Sequence, residues 1–277
     1  MADIATLLTA TGSDFRLADV DPASAPGFDG GREDGERALA KGVAELAELQ
    51  EKLFAAGRFG DRRSVLLVLQ AMDTAGKGGI VSHVVGSVDV QGVTLHAFKA
   101  PTEEEKAHDF LWRIRQHVPD AGMLGVFDRS HYEDVLIHRV RHLSPADVIE
   151  ARYGQIVDFE DELADAGTTI VKVMLHISPD EQRTRLLARL DDPAKHWKFS
   201  PGDIDERQFW DAYMEAYEIA IRRTSTPRNP WHVVPANRKW YARLAVQHLL
   251  TRALAGLDQA WPAGDFDVAA QRARLAD

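Results

Sequence analysis

The 277-residue chain contains no cysteine, which excludes disulfides, thiolate nucleophiles and cysteine-ligated zinc or iron–sulfur centres together. Any metal here must be held by oxygen or imidazole. No apolar run reaches the length of a membrane span. The segment Met1 to Arg16 also lacks the basic start, apolar block and small-residue cleavage site of a secretory leader, so no membrane association and a cytoplasmic location are expected. Positive charge is scarce as well. With 33 Lys and Arg against 43 Asp and Glu, the formal net charge is −10, and nonspecific nucleic-acid binding, which rests on clustered cations facing phosphates, is not expected.

What is present is an ordinary globular composition, 45% hydrophobic and 27% charged, at a length suited to one α/β core with attached helices. Basic residues gather locally at Arg183, Arg185, Arg189, Lys195 and Lys198, and again at Arg222, Arg223, Arg228, Arg238, Lys239 and Arg243. These are candidate anion contacts in an otherwise acidic chain. Residues 1–33 read as a partly irregular lead-in, 34–257 as the catalytic domain and 258–277 as a peripheral helix or tail. Leu39, Val43, Leu46, Leu49 and Leu53 recur at helical spacing before Gly57 and Gly60. Strands are expected at Ser64 to Gln70, Val93 to Phe98, Met123 to Phe127, Thr169 to Ile177 and Trp231 to Val234, with helical patterns between them. That alternation predicts a parallel sheet covered by helices.

The first of these strands runs directly into Ala71-Met72-Asp73-Thr74-Ala75-Gly76-Lys77-Gly78-Gly79, and Ile80 to Val85 can begin a helix. Strand, glycine-rich loop and helix form a phosphate cradle: glycines admit the anion to the backbone, N–H groups point at it, and Lys77 adds charge. The loop departs from a standard P-loop, with Ala71 at the usual first glycine and Gly78 at the usual Ser/Thr that helps hold Mg²⁺. Asp73 offers a replacement, because a carboxylate inside a phosphate loop needs a cation between it and the anion. The alternative makes Asp73 a turn or cap residue and Lys77 a solvated side chain.

Leu124 to Phe127 is an apolar strand that ends on Asp128, as expected of a carboxylate ordering Mg²⁺ or its waters beside the loop. Arg129 follows, a guanidinium where transferring phosphoryl oxygens need compensation. In isolation the pair reads equally as a helix cap and its salt bridge.

Met72 to Gly79, Lys99-Ala100-Pro101-Thr102-Glu103-Glu104, Phe127 to Asp134, and Arg189-Leu190-Asp191-Asp192-Pro193-Ala194-Lys195-His196-Trp197-Lys198-Phe199-Ser200, taken in this order and spacing, resemble the family-2 polyphosphate kinases from about Glu36 to about Leu250. The resemblance implies a P-loop kinase-like three-layer α/β sandwich with a central parallel sheet and a helical lid at about residues 180–205. It implies reversible, Mg²⁺-assisted phosphoryl transfer between polyphosphate and adenine nucleotides, with guanine nucleotides as a further class, by a homo-oligomer. By position, Asp73 and Asp128 hold Mg²⁺, Lys77 and Arg129 grip the transferring oxygens, and Arg189 closes over them. Met72, Thr74, Ala75, Gly76, Gly78 and Gly79 line the phosphate and nucleotide site, with Lys195 and Lys198 as lid contacts. The His131-Tyr132-Glu133-Asp134 form resembles members that accept both nucleoside mono- and diphosphates. Glu133 reads equally as a helix N-terminal carboxylate.

Two other readings stand beside this one: an ATP-dependent nucleotide kinase, whose parts would look alike, and a nucleotide- or polyphosphate-binding regulatory module, against which the two carboxylates count. His138 and His142 lie four apart with no third ligand evident, so hydrogen bonding is expected of them rather than zinc. The stripe Trp210, Tyr213, Met214 and Tyr217 reads as packing, and Trp197 as either a base-stacking or a packing residue of the lid.

Overall fold

In the computed structural model, which describes residues 3–276, the chain begins with α1 (Ile4–Leu8), β1 (Thr9–Ala10), α2 (Arg32–Arg58), β2 (Ser64–Ala71) and α3 (Lys77–His83). It continues through β3 (Val93–Ala97), α4 (Glu103–Lys106), α5 (Trp112–Arg115), β4 (Leu124–Asp128), α6 (Ile137–Val140), α7 (Ala146–Asp165) and β5 (Thr168–His176). The last third holds α8 (Pro179–Leu190), α9 (Pro201–Glu206), α10 (Trp210–Thr224), β6 (Trp231–Pro235), α11 (Lys239–Ala255) and α12 (Val268–Ala276).

The sheet order is β1-β6-β5-β2-β4-β3. All pairings are parallel except β1 with β6, where Thr9 faces His232 and Ala10 faces Trp231. The five strands expected from the sequence form the parallel sheet, and the edge strand is an antiparallel addition that corrects part of the irregular lead-in. Two residues are too few to show a period of two, and only the exposed edge of β6 gives them a partner.

Every residue of β2 is buried, and its side chains divide by the strand period. Val65, Leu67 and Leu69 enter one core with Leu46 and Leu53 of α2 and Leu249 and Leu250 of α11. Leu66 and Val68 enter the other with Ile149, Tyr153, Ile156 and Phe159 of α7 and Tyr213 and Tyr217 of α10. Helices therefore cover both faces, giving the three-layer sandwich. The aromatic stripe of α10 is core, as expected. Between strands, βαβ crossovers bring the carboxyl ends of β2, β4 and β5 to one edge, where Leu69 lies opposite Asp128 and Ala71 opposite Leu175. Open α/β sheets bind ligands at such an edge. Among the described residues, no helix is long and apolar enough to cross a membrane.

Candidate active site

At that edge opens a cavity of 810 Å³ lined by Asp73 to Gly79, Asp128, Arg185, Arg189, Lys195, Trp197, Lys198, Asp203, Lys239 and Arg243, among others. The phosphate loop leaves β2 and turns on Gly76, whose φ of +123° is accessible only to glycine. Adding a Cβ at Gly78 would meet nothing within 4 Å, so the departure from Ser/Thr there leaves open space. Ala71 ends the strand as a buried residue and its carbonyl faces Lys77 Nζ at 3.5 Å.

Lys77 lies 3.8 Å from Asp128 Oδ1, and Arg129 Nη2 donates to Asp73 Oδ1 at 2.9 Å. The two acidic strand ends are thus each matched with a cation of the other motif. Burial pushes the Lys77 ammonium below its ordinary range, with Arg129 adding to the shift and Asp128 and Asp73 opposing it. At Arg129, burial works against the charge, but Glu133 and Asp73 outweigh it and hold the guanidinium above its ordinary value.

Arg129 takes φ +64°, a left-handed conformation that costs a bulky residue ~1 kcal/mol or more. It is enforced from both sides: the Arg129 N–H donates to Leu69 O at 3.0 Å, and Phe98 N–H to Asp128 O at 3.0 Å. Behind it, Gln70 donates to Glu133 Oε1 at 3.0 Å and accepts from the backbone and hydroxyl of Ser130. Burial drives the Glu133 carboxyl up, against the pull of Arg129 and Lys77. Glu133 thus faces Arg129, at 3.8 Å, from the first turn of the short 3-10 helix His131–Asp134.

Asp73 and Asp128 are the only carboxylates the loop and the β4 end contribute. Each has one oxygen on a basic side chain, and no group of three or more His, Asp or Glu able to hold a metal occurs among the described residues. Two hard oxygen donors beside a phosphate cradle suit Mg²⁺, which keeps waters and takes its remaining ligands from phosphates.

In the lid, α8 leads through a 3-10 turn (Pro193–Lys198) to α9. Arg189 donates to Lys198 O at 2.9 Å and pairs with Asp203 at 3.4 Å. Lys195 pairs with Asp192, Lys198 lies over the Trp197 ring, and Trp197 is 79% exposed. Arg189, Lys195 and Lys198 therefore border the cavity while bonded within the lid, and Arg189 has its own carboxylate partner rather than the Asp73–Arg129 centre.

Met72 has a different place from the one the motif suggested. Its side chain is buried in the core beside α7 and α10, and its carbonyl closes a turn with Ala75 N–H. A strand-end residue points alternately up and down, and here the core claims it. Of the two basic clusters, Lys239 and Arg243 on α11 do line the cavity. Arg223 and Arg228 instead pair with Glu150 and Asp165 on the surface. Asp203 also lines the cavity, and a lone lid carboxylate carries no motif by which the sequence would mark it. His138 hydrogen bonds with Ser144 and approaches Asp134, the hydrogen-bonding role expected of it.

The sheet-edge phosphate loop, the acidic β4 end and a helical lid define a P-loop kinase-like protein. The chain belongs to the polyphosphate kinase 2 family, whose model matches residues 30–261. It is 50% identical over 248 residues, covering 90% of this chain and 91% of the relative, to an AMP/ADP-polyphosphate phosphotransferase of Meiothermus ruber. To an ADP-polyphosphate phosphotransferase of Rhodopseudomonas palustris it is 42% identical, with 79% of each chain covered. Its fold matches the crystal structure of polyphosphate kinase 2 from Arthrobacter aurescens TC1 with a TM-score of 0.96 and 64% identity, over 99% of this chain and 96% of that one.

Proposed function

We propose that this chain transfers the terminal phosphoryl group of polyphosphate to ADP and to AMP, reversibly, in the cytoplasm, with Mg²⁺ at Asp73 and Asp128. The observation that carries this reading is the interlocked quartet Asp73–Arg129 and Lys77–Asp128 at the mouth of the phosphate loop. Phosphoryl transfer demands alignment and charge compensation more than covalent help. Lys77 and Arg129 would neutralise the equatorial oxygens of the transferring group. Bound at the two carboxylates, Mg²⁺ would supply Lewis-acid compensation of phosphate charge.

Polyphosphate would lie along the basic wall formed by the loop, Lys239, Arg243, Lys195 and Lys198, where an acidic protein concentrates its cations. A nucleotide phosphate oxygen would attack the end phosphorus in line; the new P–O bond forms as the anhydride bond breaks, and the shortened polyphosphate leaves with that electron pair. Similarity to a relative named for both AMP and ADP supports dual acceptors. Guanine nucleotides are proposed as secondary acceptors and a homo-oligomer as the working form, the latter testable by light scattering.

The deciding experiment incubates the protein with Mg²⁺ and polyphosphate plus AMP or ADP, without ATP, and separates the nucleotides chromatographically. ATP from ADP, and ADP followed by ATP from AMP, are expected, and neither from identically prepared Asp73→Ala or Asp128→Ala protein. Absence of product from the folded parent with either acceptor would overturn the reading in favour of an ATP-dependent kinase or a binding module.

A further inference from the structure

Arg185 is counted by sequence among the lid's basic residues, yet its side chain is buried and it is saturated with protein acceptors. Its Nη1 donates to Thr74 O at 3.0 Å and Ala75 O at 2.7 Å, its Nη2 to Ala236 O at 2.6 Å and Asn237 O at 3.1 Å, and its Nε to Glu181 at 2.7 Å. A guanidinium has five N–H donors, so none remains for a phosphate oxygen. One turn earlier, Gln182 donates to Asp73 O at 3.0 Å while its carbonyl is fixed by Arg207 at 2.8 Å. Three successive carbonyls of the phosphate loop, at Asp73, Thr74 and Ala75, are thereby tied to one face of α8. The same guanidinium ties the loop that opens α11.

We propose that Arg185 and Gln182 are positioning residues for phosphoryl transfer, clamping the phosphate loop in its anion-receiving conformation and fixing its distance from the α11 wall that carries Lys239 and Arg243. This rests on the reading of that loop as the polyphosphate site. In a trans peptide the C=O of one residue and the N–H of the next point in opposite directions. Holding the three carbonyls toward α8 therefore turns the N–H groups of Thr74 and Gly76 away from it. Thr74, a β-branched residue at φ +65°, occupies a conformation that relaxes unless something holds it, and the Arg185 bond to its carbonyl does so. A loop held ready before binding reorganises least when the anion arrives.

Arg185→Lys keeps the charge but offers three donors from a single nitrogen, which cannot span both loops in one plane. We expect it to raise KM for polyphosphate at least roughly tenfold and to lower kcat, with KM for ADP within about twofold. Gln182→Leu, which frees only the Asp73 carbonyl, should move the same parameters in the same direction by less, and it carries the test if Arg185→Lys does not fold. Tripolyphosphate binding by calorimetry, without nucleotide, should weaken in parallel in both variants, and this readout survives even if the parent protein shows no polyphosphate turnover. Parent-like kinetics in both folded variants, or equal changes in KM for the two substrates accompanied by a lowered melting temperature, would overturn the inference. So would an Arg185→Lys protein that behaves as the parent while Arg185→Met is impaired, since charge alone would then be at work.

Discussion

Arg129 carries three demands at once: a left-handed backbone, an ion pair to Asp73 and proximity to Glu133. Lysine could satisfy the charge but not the planar fork that reaches Asp73 from one side and Glu133 from the other. Arg129→Lys is expected to lower kcat on the order of 100-fold, as for loss of a preorganised donor, with the melting temperature little changed; steady-state kinetics and calorimetry on the same preparation check both halves. Gly76→Ala places a Cβ at φ +123°, a region closed to it. The nearest atom is Arg185 Nη1 at 3.8 Å, so the penalty is backbone strain, about 1–3 kcal/mol, rather than a clash. It should appear as weakened polyphosphate binding. Gly78→Ser, by contrast, enters open space and should fold and turn over.

Among elements, the turn after β4 and the start of α6 hold opposed titrations. Burial pushes Asp134 up to about 6, against the pull of Arg152 and Arg113 and with Glu133 adding to it. Burial, Arg152 and Arg113 push His138 down to about 4. The two side chains lie 3.5 Å apart. A raised carboxyl makes the folded state the better proton acceptor, so Asp134 adds stability as pH falls from about 6 toward 4. A depressed imidazole makes the unfolded state the better acceptor, so His138 removes stability over nearly the same window. The two contributions offset one another. Relative to the parent, Asp134→Asn should therefore lose stability between pH 6.5 and 4.5, and His138→Gln should gain it, each by on the order of 2 kcal/mol. Denaturant titrations at the two pH values would show the opposite signs, and equal slopes in all three proteins would refute the pairing.

On the scale of the whole molecule, the sheet carries a charge through its second core. Lys172 of β5 is fully buried and donates to Glu160 of α7 at 2.5 Å, to Thr224 O of α10 at 2.8 Å and to Tyr132 Oη at 3.1 Å. Burial opposes the charge on Glu160, but Lys172 and His131 outweigh it and keep the carboxylate ionised. This network joins β5, α7, α10 and the turn immediately behind Arg129. Lys172→Met leaves Glu160 buried without a cation and should cost about 3–5 kcal/mol. The double variant Lys172→Met with Glu160→Leu should recover most of that loss, because the expense lies in an unpaired charge rather than in the pair's absence. Chemical denaturation of the three proteins measures the coupling.

The central strands, the phosphate loop and the acidic β4 end were legible in the sequence because each is a local pattern: an apolar run of five, glycines at fixed offsets, a carboxylate closing a strand; the lid segment was legible only through its resemblance to the family-2 polyphosphate kinases. Asp73, Lys77, Asp128 and Arg129 could be named from such patterns alone. Their pairing, Asp73 with Arg129 and Lys77 with Asp128, could not, since it depends on the register that sets Leu69 beside Asp128. Nor could the two-residue antiparallel edge, the burial of Met72, the partition of the basic clusters into cavity wall, surface pairs and backbone clamp, or the buried Lys172. A Lys in the strand Thr168–His176 and an Arg in a basic lid look like solvated cations until the fold supplies neighbours. Composition and periodicity determine which segments form strands and helices because those are properties of adjacent residues. Which charge meets which partner, and which arginine is left without a free donor, belonged to the tertiary structure, because such contacts, 56 positions apart for Asp73 and Arg129 and 111 for Thr74 and Arg185, exist only after the sheet has closed its two cores.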